Sequence, residues 1–101
     1  MADVVPLIDP KDYARVHARI RRLWDKGSTQ IIGHAAKRMR ERDIDIGDVR
    51  QVIRCGVVVE HSQPKDLWRY VIEGRTSDGD RLRVVVEVNG HLLVVTVVDL
   101  D

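Results

Sequence analysis

At 101 residues the chain has room for one domain with a single modest core and not for a core plus a second independent unit. Apolar residues at 44% and charged residues at 33% exclude a disordered polymer, and no apolar run reaches membrane-spanning length. The net charge of +1 excludes a strongly basic chain, and the single Cys55 excludes an intramolecular disulfide.

The first residues lack the basic-then-apolar pattern of an export signal, so the expected compartment is the cytoplasm, without a membrane partner. Residues 1–8 read as an N-terminal tail and 9–101 as a single α+β domain. A first helix is expected from Asp9 as N-cap, with Pro10 at the first helical position and Ile8 and Tyr13 spaced as a hydrophobic staple. Its apolar stripe is Tyr13, Val16, Ile20, Leu23 and Trp24, and Gly27 supplies the stop. A second helix, roughly 34–42, has an apolar side made only by Ala35, Ala36 and Met39. Asp45 then caps a third helix, with Asp48 three positions on and Ile44 to Val49 at staple spacing. Its expected buried face is Ile46, Val49, Val52 and Ile53, and Gly56 ends it. Cys55 reads as a small packing residue.

Val57 to Val59 give a short strand, and Leu67 to Val98 a three-stranded meander. Ser77-Asp78-Gly79 fits a three-residue loop closed by glycine, which places Ile72 opposite Val84, Tyr70 opposite Val86, Arg69 against Glu87 and Glu73 against Arg83. Asn89-Gly90 fits a two-residue type I′ turn, which sets Val88 against His91 and pairs Val86 with Leu93, Val84 with Val95 and Leu82 with Val97. The other face then holds Arg83 with Thr96, Val85 with Val94 and Glu87 with Leu92. The expected fold class is α+β, with three N-terminal helices packed on one face of a three- to four-stranded antiparallel β-sheet. The helices should bury the face carrying Tyr70, Ile72, Leu82, Val84 and Val86, leaving the mixed face as a concave binding surface or a homodimer contact.

Charge is split along the chain: residues 1–56 carry twelve Lys or Arg against eight Asp or Glu, and residues 57–101 five against eight. A polyanion partner or ordinary solvated helix faces both account for the basic half. No glycine-rich phosphate loop, paired-cysteine zinc pattern or histidine pair at metal spacing occurs, so neither metal nor cofactor is expected. With no aromatic cluster apparent, a small-molecule binder is poorly supported. What remains is His34, Arg38 and Arg42, on one helical face, together with Arg69, Glu73, Arg83 and Thr96 of the sheet. A histidine to move a proton and guanidinium groups to hold a pentavalent phosphate are what metal-free RNA cleavage by the 2′-hydroxyl requires. The plain alternative is two cross-strand ion pairs worth roughly 0.2–1 kcal/mol each.

The run from His34 to Arg42 (HAAKRMRER), Asp45 to Val49 leading to Gly56, Arg69 to Gly74 with Asp78-Gly79, and Val94 to Val97 together resemble the small bacterial domains grouped as domain of unknown function 4258 (DUF4258), over about residues 33–98. The layout is distantly similar to that of RelE-like and BrnT-like toxins, the metal-independent ribonucleases of toxin–antitoxin pairs. That resemblance implies His34 as proton-transfer group, Arg38, Arg69 and Arg83 as phosphate binders, Thr96 as the polar residue of the closing strand, RNA as substrate and a cognate antitoxin as partner. The leading expectation is thus an endoribonuclease toxin or an inactive relative. The alternative is a non-catalytic interaction module that dimerises or binds a partner through the mixed sheet face.

Overall fold

A computed structural model describes residues 9–101. The expected tail 1–8, and with it Ile8 of the Ile8–Tyr13 staple, lies outside the described residues. In chain order the elements are α1 (Tyr13–Asp25), β1 (Thr29–Ile31), α2 (Gly33–Glu41), α3 (Ile46–Cys55), β2 (Val57–Ser62), a 3-10 turn (Pro64–Asp66), β3 (Trp68–Arg75), β4 (Arg81–Val88) and β5 (Leu92–Asp99). The strands form one sheet in the order β1-β5-β4-β3-β2. The α+β class with N-terminal helices holds, but the sheet has five strands and is mixed, because β1 runs parallel to β5. Three residues are too few to leave an alternation in the sequence. β1 exists through its partner, with Thr29 opposite Leu92 and the Leu92 N–H donating to Ser28 O at 2.8 Å.

α1 and α3 are held at their ends by local chemistry, whereas α2 follows Ile32 with no side-chain cap. α1 begins one turn later than Asp9: Asp12 is its N-cap, accepting from the Arg15 N–H, while Asp9 accepts from the Lys11 N–H in the preceding turn. At the other end Gly27, with φ +76, lets Ser28 N–H reach back to Leu23 O at 3.0 Å. α3 carries a full capping box, Asp45 and Asp48 each accepting from the other's backbone N–H. Val49, Val52 and Ile53 are fully buried, whereas Ile46 is 52% exposed. As the first helical residue, Ile46 lies beyond the stretch of α3 that crosses the sheet, so the four-residue stripe shortens to three. Cys55 is exposed rather than packed, since it falls off that stripe at the last helical position.

The β3–β4 register is as the turn chemistry dictates: Arg69 faces Glu87, Tyr70 faces Val86, Ile72 faces Val84 and Glu73 faces Arg83. Gly79, at φ +89, closes the loop, with Thr76 N–H donating to Asp80 O at 2.8 Å. The β4–β5 register differs from expectation. Val88 faces Leu92, not His91, and a bulge between Val85 and Val86 then sets Val85 against Thr96 and Arg83 against Val98. A type I′ turn needs φ > 0 at both central residues, and of the pair only Gly90 has it. The connection is instead the three residues Asn89-Gly90-His91. Consequently Leu92 and Val94 turn inward with Val97, and the expected Arg83–Thr96 pair does not form.

All three helices contribute to one hydrophobic cluster: Val16 and Ile20 of α1, Ala35 and Met39 of α2 and the α3 stripe meet Tyr70, Ile72, Leu82, Val84, Val86, Leu92, Val94 and Val97 of the sheet. Full burial stabilises by about 1.5–3 kcal/mol for each large aliphatic side chain. The end of α3 is pressed onto β3. A Cβ on Gly56 would stand 2.5 Å from Val52 O and 2.6 Å from Glu73 O, so only glycine passes between these two carbonyls.

Candidate functional site

The sheet face away from the helices is built by strict alternation: because Ile72, Leu82 and Val84 point into the core, Glu73, Arg83 and Val85 point out. Three cross-strand rows result. At one end Ser62, Arg69, Glu87 and Leu93 stand side by side; in the middle Glu60, Val71, Val85 and Thr96; at the other end Val57, Glu73, Arg83 and Val98. Arg69 holds one Glu87 oxygen through Nη2 at 2.6 Å and Nε at 3.1 Å. Arg83 holds one Glu73 oxygen the same way, with Nε at 2.8 Å and a second contact from Nη2. Glu87 is buried beneath its partner. Each guanidinium is thus neutralised by a carboxylate of its own chain, and a phosphate would have to displace that carboxylate. Thr96 lies on the same outer face, beside Val85 and diagonal to Arg83.

α2 sits on the other side of the sheet, since Ala35 and Met39 bury themselves in the core. His34 on α2 and Arg42 at its C-cap are exposed, and Arg38 is half-buried with its Nε enclosed and without a hydrogen-bond partner among the described residues. The expected constellation therefore divides. His34 and Arg38 lie on α2 with Arg42 as its C-cap, Arg69, Glu73, Arg83 and Thr96 share the outer face, and the sheet with its core separates the two sets.

Two polar features escaped the sequence reading. His17 is buried, with Nε2 2.6 Å from Ile53 O and Nδ1 3.2 Å from Arg21 Nη1. A carbonyl only accepts, so Nε2 carries the proton and Nδ1 accepts from Arg21, a tautomer that ties α1 to α3. Its position four after Tyr13 and three before Ile20 placed it on the apolar stripe, and that was the available signal. The second is an aromatic cluster that was not expected: the His61 ring lies among Tyr13, Trp68 and Tyr70, with Tyr13 Oη 2.8 Å from Nδ1. The cluster joins α1 to the inner side of the sheet, and burial pushes the Tyr70 phenol up. Its members come from distant segments, so no local motif announced it.

A groove of about 270 Å³ extends the outer face at one corner, lined by Val57, Val59, Glu73, Arg75, Arg81 and Leu100 among others. Among the described residues no group of three or more acidic, histidine or cysteine side chains is placed to hold a metal ion. No described helix is long and apolar enough to cross a membrane. Residues 31–99 match the model of one protein family, described as "Domain of unknown function (DUF4258)". Neither a curated protein nor a solved structure matches the chain.

Proposed function

The chain belongs to the DUF4258 family, whose model spans more than half of it, and we propose that it works as a protein-interaction module through the outer face of its sheet. One observation carries this reading: Val71, Val85, Leu93 and Val98 lie half-buried on a face that no element among the described residues covers, beside two ion pairs that are already satisfied within the chain. Aliphatic centres bounded by neutralised charge are the anatomy of a protein interface rather than of a phosphate site. The experiment is assembly of purified protein, alone and co-expressed with the product of the neighbouring gene, for wild type and Val85→Arg. The reading requires that wild type forms a complex with one or the other, and that Val85→Arg remains folded by circular dichroism and loses it. A wild-type chain that stays alone in both settings refutes the module.

A second reading, a RelE- or BrnT-like endoribonuclease, is favoured by one feature, the His34–Arg38 pair one turn apart on α2 with its unpartnered Arg38 Nε. In this reading His34 transfers the proton and Arg38 holds the phosphate, with Arg42 beside them, and Arg69, Arg83 and Thr96 take no part. Growth arrest on induction that His34→Ala relieves supports it; intact bulk RNA after induction of the wild type excludes it. In this second reading the neighbouring gene's product would be a cognate antitoxin.

A further inference from the structure

We propose that the occupant of the outer sheet face is a second copy of this chain, related by a two-fold axis that lies between the two faces and runs along the strands, midway between β3 and β4. The inference rests on the interaction reading above. Its basis is the sign pattern of four side chains: on β3, Arg69 and Glu73 stand two rows apart, and on β4 beside them are Glu87 and Arg83. Arginine and glutamate thus occupy alternate corners of a rectangle, with Val71 and Val85 in the middle row. Turning a copy of this face about the stated axis lays β3 of one over β4 of the other, row upon row. Arg69 then meets Glu87 of the second copy, Glu73 meets Arg83, and Val71 meets Val85. Every corner finds the opposite sign, twice over by symmetry.

The flanking strands choose between the axes that satisfy the corners. A two-fold perpendicular to the strands also brings arginine over glutamate, but it sets Glu60 of one copy on Glu60 of the other and Val57 on Ser62. The axis along the strands instead places Val57, which is 63% exposed, on Val98, and Glu60 on Thr96. Ser62 falls on Leu93 at the opposite end, so each axis leaves one polar group on an apolar one; what separates them is that the axis along the strands removes the Glu60 like-charge contact. Two aligned sheets packed in this way are the ordinary geometry of a β-sandwich.

Size sets the strength. Three eight-residue strands about 26 Å long and the six-residue β2 about 20 Å long, at a spacing of about 4.8 Å, give a face of roughly 470 Å² per copy. The pair buries roughly 900 Å², in the range of weak, reversible complexes, so association is looked for from micromolar concentrations upward.

The test uses the full chain and the inverted quartet Arg69→Glu, Glu73→Arg, Arg83→Glu, Glu87→Arg, which keeps both intrachain ion pairs and their rows. Light scattering across a micromolar concentration series should find reversible dimers of wild type and of the inverted chain separately. Native mass spectrometry of the two mixed should show almost no hybrid, because in a hybrid every corner meets its own sign. Thr96→Lys should tighten the wild-type dimer roughly two- to thirty-fold, since it adds two symmetric partners for Glu60. A monomeric wild type, free mixing with the inverted chain, or weaker association of Thr96→Lys each overturns the proposal. Monomeric wild type that still forms a complex with its neighbouring gene product, lost in Val85→Arg, overturns the dimer and leaves the interaction module standing.

Discussion

Adding one methyl group at Gly56 should be among the costliest small changes this fold can suffer. The new Cβ would sit 2.5 Å from Val52 O and 2.6 Å from Glu73 O, both backbone atoms, where ordinary contact begins at 3.4 Å. Neither can swing aside as a side chain would. Val52 O also accepts the Gly56 N–H at 2.8 Å, the last bond of α3, and any shift that relieves the clash lengthens it. Overpacking costs about 1–3 kcal/mol and a weakened hydrogen bond about 1 more, for about 2–4 kcal/mol in Gly56→Ala. In a domain of this size that lowers the melting temperature by roughly 10–30 °C. Gly33→Ala is the internal control, because its Cβ meets nothing within 4 Å and its residue opens α2. There the substitution restricts only the unfolded chain and should stabilise by about 0.4–1 kcal/mol. Thermal melts of the two variants should therefore move in opposite directions. A Gly56→Ala protein melting within 2–3 °C of wild type, on the order of 0.5 kcal/mol, would refute the close passage of α3 over β3.

His17→Leu should cost about 1–3 kcal/mol in urea unfolding with an unchanged slope, because Ile53 O is left as a buried acceptor without its donor; an unshifted midpoint would show that His17 is only filler. The Asp101 carboxyl is held below the ordinary carboxylate range by the Arg81 backbone N–H at 2.7 Å and, next, by Arg81 Nε at 3.1 Å. A carboxyl held low in the folded state adds stability above its unfolded pKa and loses it as pH falls through the folded one. Carbon-detected NMR titration should find that low midpoint, and Arg81→Gln should raise it partway, since the backbone bond survives; no movement would discard the side-chain contact. The Tyr70 phenol, pushed up chiefly by burial, ionises after an unfolded tyrosine, so stability should decline as pH rises past about 10. An alkaline absorbance titration in which Tyr70→Phe leaves the late step in place would show that Tyr70 is not its source.

The β3–β4 hairpin was legible because its turn demands one residue at positive φ and offers one, Gly79, and because two charge pairs agree with the register. β5 was not. Leu92, Leu93, Val94 and Val95 are all apolar, so either alternation supplies a buried face, and the decision fell to pairing with β1 and to a bulge that no residue announces. Thr96 still reaches the outer face, but by way of that bulge and opposite Val85 rather than Arg83. The ion pairs of the candidate site could be read from spacing alone. Their separation from His34 and Arg38 follows from the same alternation: the pleat that sends Ile72 and Val84 into the core on the helix side of the sheet sends Glu73 and Arg83 to the other side. The aromatic surroundings of His61 depend on α1 docking near β2, a long-range event without a local signature.

The matched family region opens at residue 31, yet Val16 and Ile20, both in the apolar interior, come from α1 upstream of that boundary, as does most of β1. Heredity and physics therefore divide the polypeptide at different places. A fragment cut at the family border would inherit the recognisable pattern, but it would lack the plug over Ile53 and its neighbours and the hand-hold that His17 offers α3. The shortest self-supporting piece is longer than the shortest recognisable one.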